Sequence, residues 1–151
     1  VSPADAGLPT DPGLRRIGLY WALLQARDWA GAEALLHPSA ACRWRATRER
    51  FDGAGAIVGV NAAYPEGWTI RLLALHRLGP DEALSVVRVD HDGRSFWAHS
   101  HVRFEGEWIA QIDEYWADEQ AAPAWREGLA GRTLTPADAR PGWPLDPALW
   151  A

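Results

Sequence analysis

The chain has 151 residues, 48% hydrophobic and 23% charged, which places it with single globular domains and apart from disordered or collagen-like chains. Fifteen basic residues face 20 acidic ones for a net charge of −5, so neither nucleic acid nor an anionic membrane is a good electrostatic partner. No apolar run approaches the ~20 residues that span a bilayer, no signal-peptide core is found, and the lone Cys42 has no disulfide mate, so the expected compartment is the cytoplasm. Ten tryptophans are unusual, and rings in such number fill a core, cover an interface or line a pocket.

Residues 1–11 read as an N-terminal extension. Asp11-Pro12 then starts a helix, in which Leu14, Ile17, Trp21 and Leu24 repeat at helical spacing and which ends near Arg27. Asp28 caps a second, short helix expected to run through Leu36, where Pro38 stops it. Residues 41–51 suggest one or two short strands, Asp52-Gly53 a turn, and Ala54 to about Tyr64 a third helix ended by Pro65. From Trp68 the pattern changes to strands, Trp68–Leu78, Ala83–Asp90, Arg94–Phe104 and Trp108–Trp116, separated by Gly79-Pro80-Asp81, Asp92-Gly93 and Gly106-Glu107. Helices followed by a meander predict one α+β domain over residues 12–118, with three N-terminal helices packed on a curved antiparallel sheet. Residues 119–151 hold five Pro and three Trp and read as a wrapping arm, with a short helix near Trp125–Ala130.

Four segments carry a family likeness: RDWAGAEALLHPSAACRW, ERFDGAGAIVGVNAAYPEGW, VDHDGRSFWAHS and IDEYWAD. Their order and spacing resemble the nuclear transport factor 2-like superfamily, including its SnoaL-like proteins and a small bacterial branch of unsettled function. The resemblance covers roughly residues 12–128. It implies a cone-shaped fold with a pocket between helices and sheet, usually dimeric, but no reaction, since this fold hosts isomerases, cyclases, dehydratases, hydrolases and binders. Tyr20 stands where the ketosteroid isomerase-like branch has its tyrosine, whereas that branch's carboxylate base falls on Trp44, which cannot abstract a proton. The scytalone dehydratase-like branch would need an Asp at Gln25. An acid on the last strand, as in the polyketide cyclase branch, would be Asp113 or Glu114.

Hairpin turns set a register independently of family. Pairing Phe104 with Ile109 puts Ser100 opposite Asp113, His99 opposite Glu114 and Trp97 opposite Trp116. Pairing Val89 with Phe96 puts Ser85 opposite Ser100, and a four-residue loop at 79–82 puts His76 opposite Ser85. One face then carries Ala74, His76, Ser85, Ala98, Ser100, Gln111, Asp113 and Tyr115 among apolar neighbours, and its small residues leave room for a pocket. His76 and Asp113 would lie roughly 14 Å apart, too far for a direct acid–base pair. The candidate catalytic residues are therefore Asp113, Tyr20 and Glu114, and the candidate pocket wall is Trp21, Trp44, His76, Ser85, Ala98, Ser100, Gln111 and Tyr115. The opposite face, with Trp97, His99, His101, Ile112 and Trp116, suits a homodimer interface. No metal or cofactor motif is present. The expected role is non-catalytic binding of a small apolar molecule. The alternative is a SnoaL-like isomerase, hydrolase or cyclase working through an acid/base carboxylate.

Overall fold

A computed structural model describes residues 7–151, so the first six residues of the expected N-terminal extension lie outside it. Helix α1 (Pro12–Gln25) begins at Asp11, whose carboxylate accepts from Gly13 N (2.8 Å) and Leu14 N (3.1 Å) and also pairs with Arg77. Leu14, Ile17, Trp21 and Leu24 are buried on its inner side, as their spacing requires. Asp28 caps α2 (Trp29–Ala34) through Gly31 N (2.9 Å). The chain turns into β1 (Leu36–Trp44) where the sequence led us to expect more helix. Leu36 pairs with Ile109 there, and the residues between Leu36 and Ala41 bulge out of the ladder, which accommodates Pro38. Strand β2 (Glu49–Asp52) and helix α3 (Ala54–Ala63) follow.

The remaining strands are β3 (Thr69–Gly79), β4 (Glu82–His91), β5 (Arg94–Glu105) and β6 (Trp108–Asp118). The six form one open sheet in the order β2-β1-β6-β5-β4-β3. It is mixed, not purely antiparallel as the meander alone suggested, because β1 runs parallel to β6. No hairpin turn joins those two strands, so nothing local constrains their relative direction.

Register holds where the turn chemistry is strongest. At the β4–β5 turn Asp92 (φ 52°) and Gly93 (φ 74°) both adopt left-handed backbone, and Val89 pairs with Phe96 and Ser85 with Ser100 as expected. Elsewhere single-residue bulges intervene. Phe104 pairs with Ile109, but Arg103 pairs with Gln111, so Ala110 is an extra residue in β6. From there every partner moves by one: Ser100 faces Glu114, His101 faces Asp113, His99 faces Tyr115 and Ala98 faces Trp116. In β3 the ladder slips twice, between Leu72 and Ala74 and between Arg77 and Gly79. The slip at Arg77/Gly79 makes Leu75, not His76, face Ser85, and the slip at Leu72/Ala74 returns Ile70 and Leu72 to the core side.

The Pro-rich arm docks on its own chain. After a 3-10 turn at Ala124–Arg126 it runs mostly extended, and Trp143 bridges to Leu72 on the β3 edge, its N–H donating to Leu72 O (2.9 Å). Helix α4 (Pro147–Trp150) then drives Trp150 into the core against Gly18 of α1. Trp150 is 2% exposed, and its Nε1 donates to Pro144 O (2.8 Å). Arg15 fixes the same turn by donating to Leu149 O (2.6 Å).

Candidate functional site

Ser85, Ser100 and Glu114 are the only polar residues fully inside the described core, and they stand in one row across β4, β5 and β6. Each is tied down. Ser100 Oγ donates to Glu114 Oε2, Trp44 Nε1 donates to Glu114 Oε1 (2.9 Å), and the Cys42 thiol donates to the same oxygen (3.6 Å). Trp21 Nε1 donates to Ser85 Oγ (3.1 Å). Burial pushes the Glu114 carboxyl above its ordinary range, and the donors from Ser100, Trp44, Cys42 and Trp116 only partly oppose it. The Trp116 indole is near enough to favour the charged form yet lies outside hydrogen-bond geometry.

Glu114 is 6% exposed and lines a cleft of about 1480 Å³ whose wall includes the β4–β5 turn and the end of β6. Trp21, Trp44, Tyr64, Trp68, Phe96 and Trp116 supply its aromatic walls. The rings touch in sequence: Trp44 and Trp116 have centroids 6.2 Å apart, Phe96 and Trp116 5.5 Å, and Tyr64 and Phe96 6.1 Å. The indole N–H groups of Trp68 and Trp116 are buried and have no hydrogen-bond partner among the described residues. Behind Glu114 a cavity of about 10 Å³ reaches Tyr20, Ser85 and Ser100. Tyr20 is 4% exposed, and burial first, then the charge of Glu114, pushes its phenol pKa far up, so it is a neutral hydroxyl and not a base.

Of the residues marked from sequence, Trp21, Trp44, Ser85, Ser100, Tyr20 and Glu114 come together here, while Ala98 is fully buried beside Trp116 and lines neither space. The Ala110 bulge removes Asp113, Gln111 and Tyr115 from the pocket face. Asp113 is held by Arg45 (2.7 Å) and by Gln111 Nε2 (3.2 Å), and Tyr115 is 59% exposed. The β3 slip leaves His76 exposed. The same bulge turns Ile112 and Trp116 inward from the face assigned to a dimer, Ile112 into the core and Trp116 onto the cleft wall. On that outer face His99 and His101 remain exposed, and His101 lies 3.8 Å from Glu82. Trp97 is half-buried there, and its indole is near enough to Asp138 of the arm to assist Arg140 in lowering the pKa of that carboxyl. Trp68 and Phe96 are expected on the helix-and-pocket side without being singled out as pocket wall, and Tyr64 is not expected there at all. The odd spacings Ile109 to Ile112 and Leu72 to Leu75 were the available signal, because inward residues of an unbroken strand are an even number apart. Among the described residues no group of three or more His, Cys, Asp or Glu could hold a metal ion.

Solved structures match this architecture closely. A candidate ketosteroid isomerase from Kribbella flavida superposes with a TM-score of 0.74 at 22% identity, covering 88% of this chain and 97% of that one. The fold is that of the nuclear transport factor 2-like proteins. An NTF2-like protein of unknown function from Burkholderia xenovorans matches at TM-score 0.66 and 18% identity over 84% of this chain and 99% of that one. An LEH-like epoxide hydrolase from M. tuberculosis matches at 0.56 and 15%, over 70% and 83%. No sequence-family model matches the chain, and no curated protein matches it by sequence. Within the NTF2-like fold, the strand-β1 position that the isomerase resemblance would give to a carboxylate is Trp44. Trp44 pairs directly with Glu114 and donates to it, so the carboxyl enters the same space from the neighbouring strand.

Proposed function

We propose that the protein binds a small, largely apolar molecule in the aromatic cleft, with Glu114 as its polar anchor. The observation that carries this reading is a glutamate buried in the core that also lines a large aromatic cleft. The unpartnered Trp68 and Trp116 N–H groups support it, since an acceptor on a ligand would relieve an otherwise uncompensated burial. The three donors on Glu114 hold it in place, as an anchor requires. A ligand at a hundred times its Kd should stabilise the fold by about 2.7 kcal/mol, readable as a rise in Tm and a change in tryptophan emission. Absence of both changes across a panel of apolar and amphipathic molecules would refute the reading.

A second reading, acid/base catalysis, is favoured by the raised pKa of Glu114, which places the carboxyl nearer the range where it can both take and return a proton. Solved neighbours named as a candidate isomerase and an epoxide hydrolase agree with that chemistry. Tyr20 would serve as a neutral hydrogen-bond donor. Turnover of enolisable ketones or epoxides, lost in Glu114→Gln, would establish catalysis over simple binding.

We further propose a cytoplasmic homodimer joined through the outer sheet face around Trp97, His99, His101 and the exposed ring of Tyr115. The single buried thiol fits that compartment. No helix among the described residues is long and apolar enough to cross a membrane. Sedimentation should show a dimer that Tyr115→Arg dissociates, and a wild-type monomer at micromolar concentration would sink the assignment.

A further inference from the structure

The cleft is unbalanced in charge. Glu49, Asp92, Glu114, Asp118 and Glu119 line it, and among the described residues Arg94 is the only arginine that does. These carboxylates come from β2, from the β4–β5 turn and from β6 and just beyond it, so the fold converges them from three places. Among the described residues none of the five takes part in an ion pair, whereas Asp11, Asp90, Asp113 and Asp138 are each matched by an arginine elsewhere. Between this rim and Glu114 the wall is a continuous run of ring faces and edges, Trp44, Trp116 and Phe96.

Aromatic faces with carboxylates around them attract a cation that sheds water easily. An anion would be repelled at the rim, and a hydrocarbon would use none of the charge. A primary ammonium needs three acceptors, whereas both oxygens of Glu114 already accept from Trp44, Cys42 and Ser100, and the wall beside it is the rings of Trp44 and Trp116. We infer that the ligand is an alkylated ammonium, a tertiary or quaternary amine whose carbon shell lies on Trp44, Trp116 and Phe96 and whose charge faces Glu114. An oxygen on the same molecule would meet the free indole N–H of Trp68 or Trp116. The inference rests on the binding reading above and adds the charge and class of the ligand.

Choline and 3,3-dimethylbutan-1-ol share a shape and a hydroxyl and differ in charge, so together they test it. Each is titrated by calorimetry and tryptophan fluorescence against the full chain, Glu114→Gln, and the rim variant Asp118→Asn/Glu119→Gln, with near-ultraviolet circular dichroism to establish folding. Choline should bind about tenfold more tightly than the alcohol, with the preference falling as salt is added. Glu114→Gln should bring the ratio close to one, and the rim variant should reduce it at low salt. If Glu114→Gln loses its near-ultraviolet spectrum, the rim variant carries the test. Equal or tighter binding of the alcohol overturns the cation assignment and leaves the binding reading in place. A neutral apolar dye that binds while choline does not has the same consequence. Failure of dye, choline and alcohol alike overturns both.

Discussion

Alanine at position 18 should weaken this protein, although alanine is the better helix former by about 1 kcal/mol in a helix interior. Gly18 lies in the middle of α1, and a Cβ there would sit 2.1 and 2.2 Å from two carbons of the Trp150 ring. No rotation of a methyl group relieves such an approach, so the indole must leave. A tryptophan side chain covers ~200 Å² of apolar surface, which at ~25 cal/mol per Å² sets an upper bound near 5 kcal/mol, in line with the ~3–5 kcal/mol typical of buried Trp truncation. Subtracting the helix gain leaves a net loss of about 2–4 kcal/mol. For a domain of this size that lowers Tm by roughly 5–15 °C. Thermal and urea unfolding followed by circular dichroism would measure it, with Trp150→Ala as the reference background. In that background the clash is gone, and Gly18→Ala should instead stabilise by ~1 kcal/mol, giving a coupling of about 3–5 kcal/mol across the cycle. A wild-type chain that becomes more stable with alanine at 18 would refute the seating of Trp150.

Two further outcomes follow from the core. Because the Glu114 carboxyl is raised, the folded state holds this proton to higher pH than the unfolded chain does. Its contribution to stability is therefore greatest at low pH and is lost as pH rises from the unfolded pKa, ~4.3, through the folded one. The stability of Glu114→Gln relative to wild type should accordingly increase with pH over that window and then level off. The lowered carboxyls of Asp11, Asp90 and Asp138 have the opposite slope and cancel in the comparison. A difference that is flat in urea melts from pH 4 to 8 would contradict a buried, ionising Glu114. Cys42, buried and pushed far up in pKa by burial and by Glu114, should resist a thiol reagent at pH 8 except at the rate of global unfolding. Prompt stoichiometric labelling of the native protein would show the Cys42 pocket to be open.

How much of this could be read from residues alone depends on whether the information was local. The α1 cap at Asp11, the four inward residues of α1 and the β4–β5 turn were legible because each is set within a few positions by backbone chemistry. The inner row failed by one residue in β3 and β6, which moved the floor of the pocket from His76 and Asp113 to Leu75 and Glu114. A bulge costs a strand little and has no obligatory residue, and Ala110, Leu78 and Leu73 announce nothing by themselves. Only the spacing of their apolar neighbours gives them away. The parallel pairing of β1 with β6 was invisible for a related reason, since its partners are far apart in sequence and no turn joins them. The arm was recognisable by its prolines, but its landing place was not. A glycine in the middle of an otherwise good helix, Gly18, was the clue.

The seating of Trp150 has a consequence for the order of folding. Arg15 and Leu149 are 134 positions apart, yet one donates to the other beside the indole that fills the notch in α1. Helix α1 thus acquires this packing partner only after the whole sheet between them has been synthesised. Contacts this distant in sequence slow folding, because the loop must close before any of its contacts is gained. Until that happens the notch beside Gly18 is an exposed apolar groove, open to the same segment of another copy. Exchange of the arm between two chains is therefore the misassembly this topology invites during refolding at high concentration.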